Sequence, residues 1–116
     1  MEARRFRGLG RVEMLGRSVI LASGPRARLL GLTMLPRSGA GEGLLIPRCR
    51  SVHTFGMRFP IDVAFCDRYG FVLHLTTLPP GRVSRPVWRS YFAIEARAGS
   101  FERWKLNLGD VVEVKG

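Results

Sequence analysis

Apolar residues in this chain recur mostly at every second position, in short runs separated by glycine, proline or charged residues. That is the pattern of strands. The clearest case lies between residues 60 and 78. In IDVAF, Ile61, Val63 and Phe65 alternate with Asp62 and Ala64, and in FVLHLTTL, Phe71, Leu73 and Leu75 alternate with Val72, His74 and Thr76. Between the runs, Asp67, Arg68, Tyr69 and Gly70 suit a type I turn closed by a glycine at positive φ, so the segment predicts a hairpin. SYFAIEAR predicts a further strand, with Tyr91, Ala93, Glu95 and Arg97 on one face and Phe92, Ile94 and Ala96 on the other. RVEMLGRSVILA reads as two short strands about Gly16 and Arg17, GLLIP as a short buried strand ended by Pro47, and DVVEV as a closing strand. The stretch from Ser51 to Phe55 reads as one more short strand.

Helical signals are fewer. SGPRARLLGLTMLP has a capping Ser23 or Gly24, a proline at a first helical turn and Pro36 as a stop, although Gly31 weakens it by about 1 kcal/mol relative to alanine. FERWKLN predicts a two-turn helix, capped by Gly99 and Ser100 and ended by Gly109. RSGAGEG is a loop without the glycine spacing of a phosphate-cradling motif. LPPGRVSRP, with its prolines, is a loop of about ten residues, the length of a lid or binding loop. The expected fold is α+β and mainly β, a small barrel-like or rolled sheet with one or two short helices. Residues 1–116 are expected to form a single domain, with residues 1–10 as a flexible basic N-terminus.

Charge changes this picture most. The net charge is +10, and 17 of the 19 basic residues are arginine, beside one asparagine and no glutamine. The scarcity of amides points to a GC-rich or thermophilic source. The excess lies in the first half, with Arg4, Arg5 and Arg7 as its tight cluster. Such a field attracts nucleic acid or other anions at low salt, although a solvated surface is the commoner meaning of scattered charge. Nothing reaches the roughly 18 apolar residues of a membrane span. The N-terminus has no apolar segment of the secretory kind, so the expected location is cytoplasmic. Cys49 and Cys66 are too few for a disulfide framework and are expected to be reduced and buried.

FPIDVAFCDRYGFVL resembles the signature P-[LI]-D-x-x-F-x-D-x-x-G-x-V of the family called domain of unknown function 192. The upstream RARLLGLTM, the pair Pro79 and Pro80, and the tail AIEARAGSFERWKLNLGD are similar to the same family, so the resemblance covers about residues 20–115. It implies a compact, β-rich, barrel-like fold and no established reaction or cofactor. Many members carry W-M-K-N-T where this chain has His53, Thr54, Phe55, Gly56 and Met57, so a role for His53 would not be a role of the whole family. Many relatives are also exported behind a signal peptide, which is not expected here.

Three kinds of chemistry are weighed for the polar residues. A zinc site would need Cys49, His53, Cys66 and His74 to converge, but only one short ligand spacing exists, so neither a metal nor a cofactor is expected. A hydrolase or transferase would use Cys49, flanked by Arg48 and Arg50, or His53, with Asp62 as the orienting group. Asp67 belongs to its turn. The leading expectation is a non-catalytic module for a small molecule or peptide, with a polar site at His53, Thr54, Met57 and Asp62, helped by Arg82. The alternative is weak, non-specific binding of nucleic acid or another anionic partner through Arg4, Arg5, Arg7 and Arg11. It would add Arg82, Arg85 and Arg89, which interleave with Trp88, Tyr91 and Phe92.

Overall fold

A computed structural model describes residues 9–14, 17–22 and 43–115 of the chain, with side chains from 43 to 114. The described residues contain seven strands: β1 (Leu9–Met14), β2 (Arg17–Ala22), β3 (Leu44–Pro47), β4 (Ile61–Cys66), β5 (Val72–Leu78), β6 (Phe92–Arg97) and β7 (Val114–Lys115). Among the described residues there is one helix, α1 (Ser100–Trp104). The strands form one sheet in the order β5-β4-β6-β3-β2-β1-β7. Neighbours are antiparallel except β2 and β3, which run parallel. The sheet is not closed into a barrel. Its β5 edge is tied to the chain leading into β7 by an isolated bridge between Phe71 and Val111. The mainly β class expected from the alternating pattern is therefore the class observed.

The hairpin from β4 to β5 forms where its pattern placed it. Asp67 organises the turn by accepting the N–H groups of Tyr69 (2.9 Å) and Phe71 (3.0 Å) on Oδ1, while Gly70 N–H closes onto the Asp67 carbonyl at 3.0 Å. Gly70 has φ 88°, and a Cβ there would run into the carbonyl of Val112. Only glycine suits both the conformation and the close passage. A register shift between Phe65 and Cys66 then sets Phe65 opposite His74 and Cys66 opposite Val72.

All six residues of β4 are buried, and so are the first five of β6. The alternation in IDVAF thus separates two buried faces rather than core from solvent. One carries Ile61, Val63 and Phe65 with Leu44, Ile46 and Ala93. The other carries Ala64 and Cys66 with Leu45, Ile94 and Ala96, and α1 covers it through Phe101. Asp62 belongs to this second face. Being 6 % exposed, it is part of the core rather than of a polar surface.

Four expectations need correction. Ser51–Phe55 contributes only a single bridge, His53 to Val83, because Thr54 and its neighbours bond to a loop instead of a strand. The second predicted helix is one turn shorter than the pattern suggested and ends at Lys105, which takes the left-handed conformation (φ 58°); Gly109 lies in the following turn. The closing strand is reduced to Val114–Lys115. Phe92 is buried in the core and leaves the aromatic–basic series around Trp88. The helix predicted from SGPRARLLGLTMLP and the loop RSGAGEG, up to residue 42, lie outside the described residues, as do Arg4, Arg5 and Arg7.

Candidate functional site

The register places chemically different groups at the two ends of β4. At its start, Asp62 accepts three hydrogen bonds. Thr77 Oγ1 donates to Oδ1 at 2.8 Å, and the N–H groups of Gly99 (2.9 Å) and Phe101 (3.1 Å) donate to Oδ2. The first turn of α1 has no side-chain cap of its own, so a carboxylate from a strand supplies the missing acceptor. Each bond to a charged acceptor of this kind is worth roughly 1.5–3 kcal/mol.

The loop pair beside this end is held in the same self-contained way. Thr54 is fully buried. Its hydroxyl donates to the Pro79 carbonyl at 2.6 Å and accepts Arg82 N–H at 2.8 Å, and its own N–H donates to the Arg82 carbonyl at 2.8 Å. Met57 N–H and Gly81 N–H both end on the Thr54 carbonyl. Of the residues singled out from the sequence, His53, Thr54, Met57 and Arg82 are therefore brought together through the backbone. His53 itself is exposed, its Nδ1 accepts Phe55 N–H at 3.3 Å, and its ring stacks on Phe55 at 5.1 Å. Asp62 shares no hydrogen bond with any of the four.

The two thiols sit apart. Cys49 packs on the Phe65 face and Cys66 on the α1 face. Both are buried and neither is in a disulfide, and Cys49 Sγ donates to the Ser51 carbonyl at 3.2 Å. Burial, with a further contribution from the negative charge of Asp67, pushes the Cys66 thiol up to about 12. A thiol held that high is almost wholly protonated at neutral pH, the opposite of an activated nucleophile. Among the described residues no three His, Cys, Asp or Glu side chains are grouped to hold a metal ion.

Glu95 was read from the sequence only as a strand position. It is 4 % exposed, between Leu44 and Val63 on the neighbouring strands, and burial raises its carboxyl from the ordinary 4.5 to about 7.

At the other end of β4 the arrangement opens outward. Antiparallel pairing sets Pro47 and Cys66, the last residues of β3 and β4, against Phe92, the first of β6. The residues just beyond these three positions line a cleft of about 470 Å³: Arg48, Arg50, Arg68, Ser90 and Tyr91. Its frame is hydrogen-bonded throughout. Buried Ser90 donates its hydroxyl to the Cys49 carbonyl at 2.7 Å, Tyr91 N–H to the Cys66 carbonyl at 2.7 Å, and Val87 N–H to the Arg50 carbonyl at 2.8 Å. Three arginines thus line one concavity, and among the described residues its lining includes no carboxylate. Asp67, adjacent to Arg68 in the chain, spends Oδ1 on its own turn. Sequence reading noticed Arg48 and Arg50 only as neighbours of Cys49 and missed Arg68, Ser90 and Tyr91 as a group. The available signal was positional: a charged triplet RCR directly after a strand-ending proline, and an arginine in a hairpin turn.

Among the described residues, this open sheet with one short helix and an arginine-lined cleft at one end defines a compact β-rich fold. The DUF192 family profile, described as "Uncharacterized ACR", matches residues 8–114, and the chain belongs to that family. Among curated relatives it is 38 % identical over 63 residues to a UPF0127 protein of Pyrococcus horikoshii, covering 54 % of this chain and 55 % of the relative. It is 36 % identical over 63 residues to a UPF0127 protein of Pyrococcus abyssi, covering 54 % of each. The matched region spans about half the length of these relatives. In overall fold the chain is similar to a crystal structure of a protein of unknown function from Novosphingobium aromaticivorans, with a TM-score of 0.69 and 19 % identity over 90 % of this chain and 84 % of that one. It is equally similar to a "putative transcription regulator" from Sinorhizobium meliloti, with a TM-score of 0.69 and 21 % identity over 92 % of this chain and 95 % of that one. At these identities the likeness concerns the fold. Among the described residues no helix is long and apolar enough to cross a membrane.

Proposed function

We propose that this domain is a non-catalytic binding module whose ligand is an anion held in the cleft at the ends of β3 and β4. The observation that supports this most directly is the lining itself: Arg48, Arg50 and Arg68 converge with Ser90 and Tyr91 about one concavity of about 470 Å³. Guanidinium groups present fixed forks of N–H donors that match phosphate and carboxylate oxygens in pairs. At an effective dielectric near 20, each opposite charge brought to 4 Å contributes about 4 kcal/mol before the cost of desolvation. A ligand with two negative charges is matched to such a site better than a neutral one.

Isothermal titration with pyrophosphate at low and at physiological salt tests the proposal. The expected result is saturable one-site binding that weakens with salt, and that falls at least tenfold in Arg50→Glu and Arg68→Glu. No binding at low salt, or binding indifferent to both substitutions, would refute it.

A second reading keeps the face around His53 as a contact surface for a small molecule or peptide. It is favoured by the exposure of His53, Phe55, Arg82 and Val83 on loops that Thr54 clamps in place. In this reading Thr54 and Asp62 build the support, and His53, Arg82 and half-buried Met57 make the contact. Histidine NMR shifts recorded across a peptide and metabolite panel, in the native chain and in His53→Ala, decide whether that surface is used.

A further inference from the structure

The cleft is larger than its charge requires. A bare phosphate or sulfate would fill a small part of 470 Å³, a volume within the range of roughly 300–1,000 Å³ that accommodates small organic ligands. What else lines it indicates what fills the remainder. Tyr91 is an aromatic side chain 38 % exposed at the cleft, and its backbone is pinned by the bond from its N–H to Cys66. Ser90, directly before it, is buried and bonded to the Cys49 carbonyl, so Tyr91 projects from a fixed point. Tyrosine offers a flat apolar surface at small cost in conformational entropy, having two side-chain torsions. Guanidinium planes also accept stacked rings.

Resting on the anion reading of the same cleft, we infer that its ligand is a phosphate ester carrying a planar ring, of the nucleotide class, with the phosphate at Arg50 and Arg68 and the ring against Tyr91. The cleft is a concavity at one corner of the sheet, bounded by the β4–β5 turn, the chain after β3 and the start of β6. That shape suits a single nucleotide. A continuous single strand would need a groove extended along several arginines. Arg82, Arg85 and Arg89 are exposed with Trp88, but none of them lines this concavity.

The test compares two ligands alike in their diphosphate group, pyrophosphate and adenosine diphosphate, by calorimetry on the full chain. Stacking of a base on an aromatic side chain predicts that the nucleotide binds at least about fivefold tighter than pyrophosphate. Tyr91→Leu should erase that preference while leaving pyrophosphate affinity within twofold, and Tyr91→Phe should restore it. Arg68→Glu should weaken both ligands. Equal affinity for the two ligands, or a preference that survives Tyr91→Leu, would overturn the ring inference and leave the anion site standing. Failure of both ligands to bind, or indifference to Arg68→Glu, would instead overturn the anion site, and the inference with it. A short oligothymidylate serves as the third ligand. If it binds more than tenfold tighter than the nucleotide, and loses that advantage when Arg82, Arg85 and Arg89 are replaced by glutamate, the occupant is a single strand and the nucleotide assignment is wrong.

Discussion

The two ends of β4 use polar residues in opposite ways. At the start, Asp62 and the neighbouring Thr54 direct their hydrogen bonds to the chain itself, with Thr77, Gly99 and Phe101 for the one and Pro79 and Arg82 for the other. At the finish, the backbone carbonyls of Cys49, Arg50 and Cys66 hold the frame together, while the side chains of Arg48, Arg50 and Arg68 line a cavity. Polar groups of the first kind contribute to stability, and those of the second kind are, in the proposed reading, the ones that meet a ligand. Burial alone does not draw this distinction, because a buried carboxylate is often read as a site. The destination of its hydrogen bonds does.

Substitutions should therefore separate into two sets, and the largest effects belong to the closed end and to the turn that leads away from β4. Asp62→Ala leaves two amide N–H groups and a hydroxyl without their acceptor and should cost about 4 kcal/mol of unfolding free energy, measured by urea titration. Gly70→Ala forces a side chain onto the Val112 carbonyl at a left-handed φ and should cost about 3 kcal/mol. If Asp62→Ala unfolds no more easily than the native chain while ligand binding disappears, the division drawn here fails.

Glu95 gives an effect of similar size that depends on pH. Its carboxyl is raised from 4.5 to about 7 by burial, so between those values the folded chain holds a proton that the unfolded chain has released. Stability from this group is complete below about 4.5 and declines as pH rises to about 7, by about 3 kcal/mol in all. Unfolding free energies across that window should show the decline. Glu95→Gln, which cannot ionise, should remove it.

A smaller loss, about 2 kcal/mol, is expected for Thr54→Val, which keeps the shape but leaves the Arg82 N–H without its hydroxyl acceptor. The smallest change in stability belongs to the open end. Arg68→Ala should stay within about 0.5 kcal/mol of the native chain while pyrophosphate affinity falls. A large destabilisation by Arg68→Ala would mean that the arginine holds the fold and would remove the contrast between the two ends.

The strands and the β4–β5 turn could be read from the chain because they rest on local information: a period of two, an aspartate opening a turn and a glycine closing it. In β4 and β6 the two sets of alternating positions fall as that period places them. In β5 the register shift at Phe65 and Cys66 puts Val72 on the same face as Leu75, which a strict period of two sets apart. What could not be read was which strand lies beside which. IDVAF has the same alternation whether Asp62 faces water or a helix, and only the placement of α1 over the Ala64 face decides that it is enclosed. For the same reason His53 and Asp62, nine positions apart, looked like partners. The grouping of Arg48, Arg50, Arg68, Ser90 and Tyr91 depends on three strand ends meeting, a consequence of the β3-β6-β4 order that no local pattern encodes.

The cap that Asp62 places on α1 also bears on the order in which the molecule assembles. A helix of five residues is far below the length at which isolated helices persist in water, and its acceptor comes from 37 residues earlier in the chain. The helix thus has to wait for β4 and β6 to pair before its first turn has anything to hold. In rate measurements, Phe101→Leu should speed unfolding and leave the folding rate almost unchanged, with a φ-value near zero. Substitutions at Val63 or Ile94 should slow folding. The helix nearest the C-terminus would then be the last piece to settle, and the first to leave.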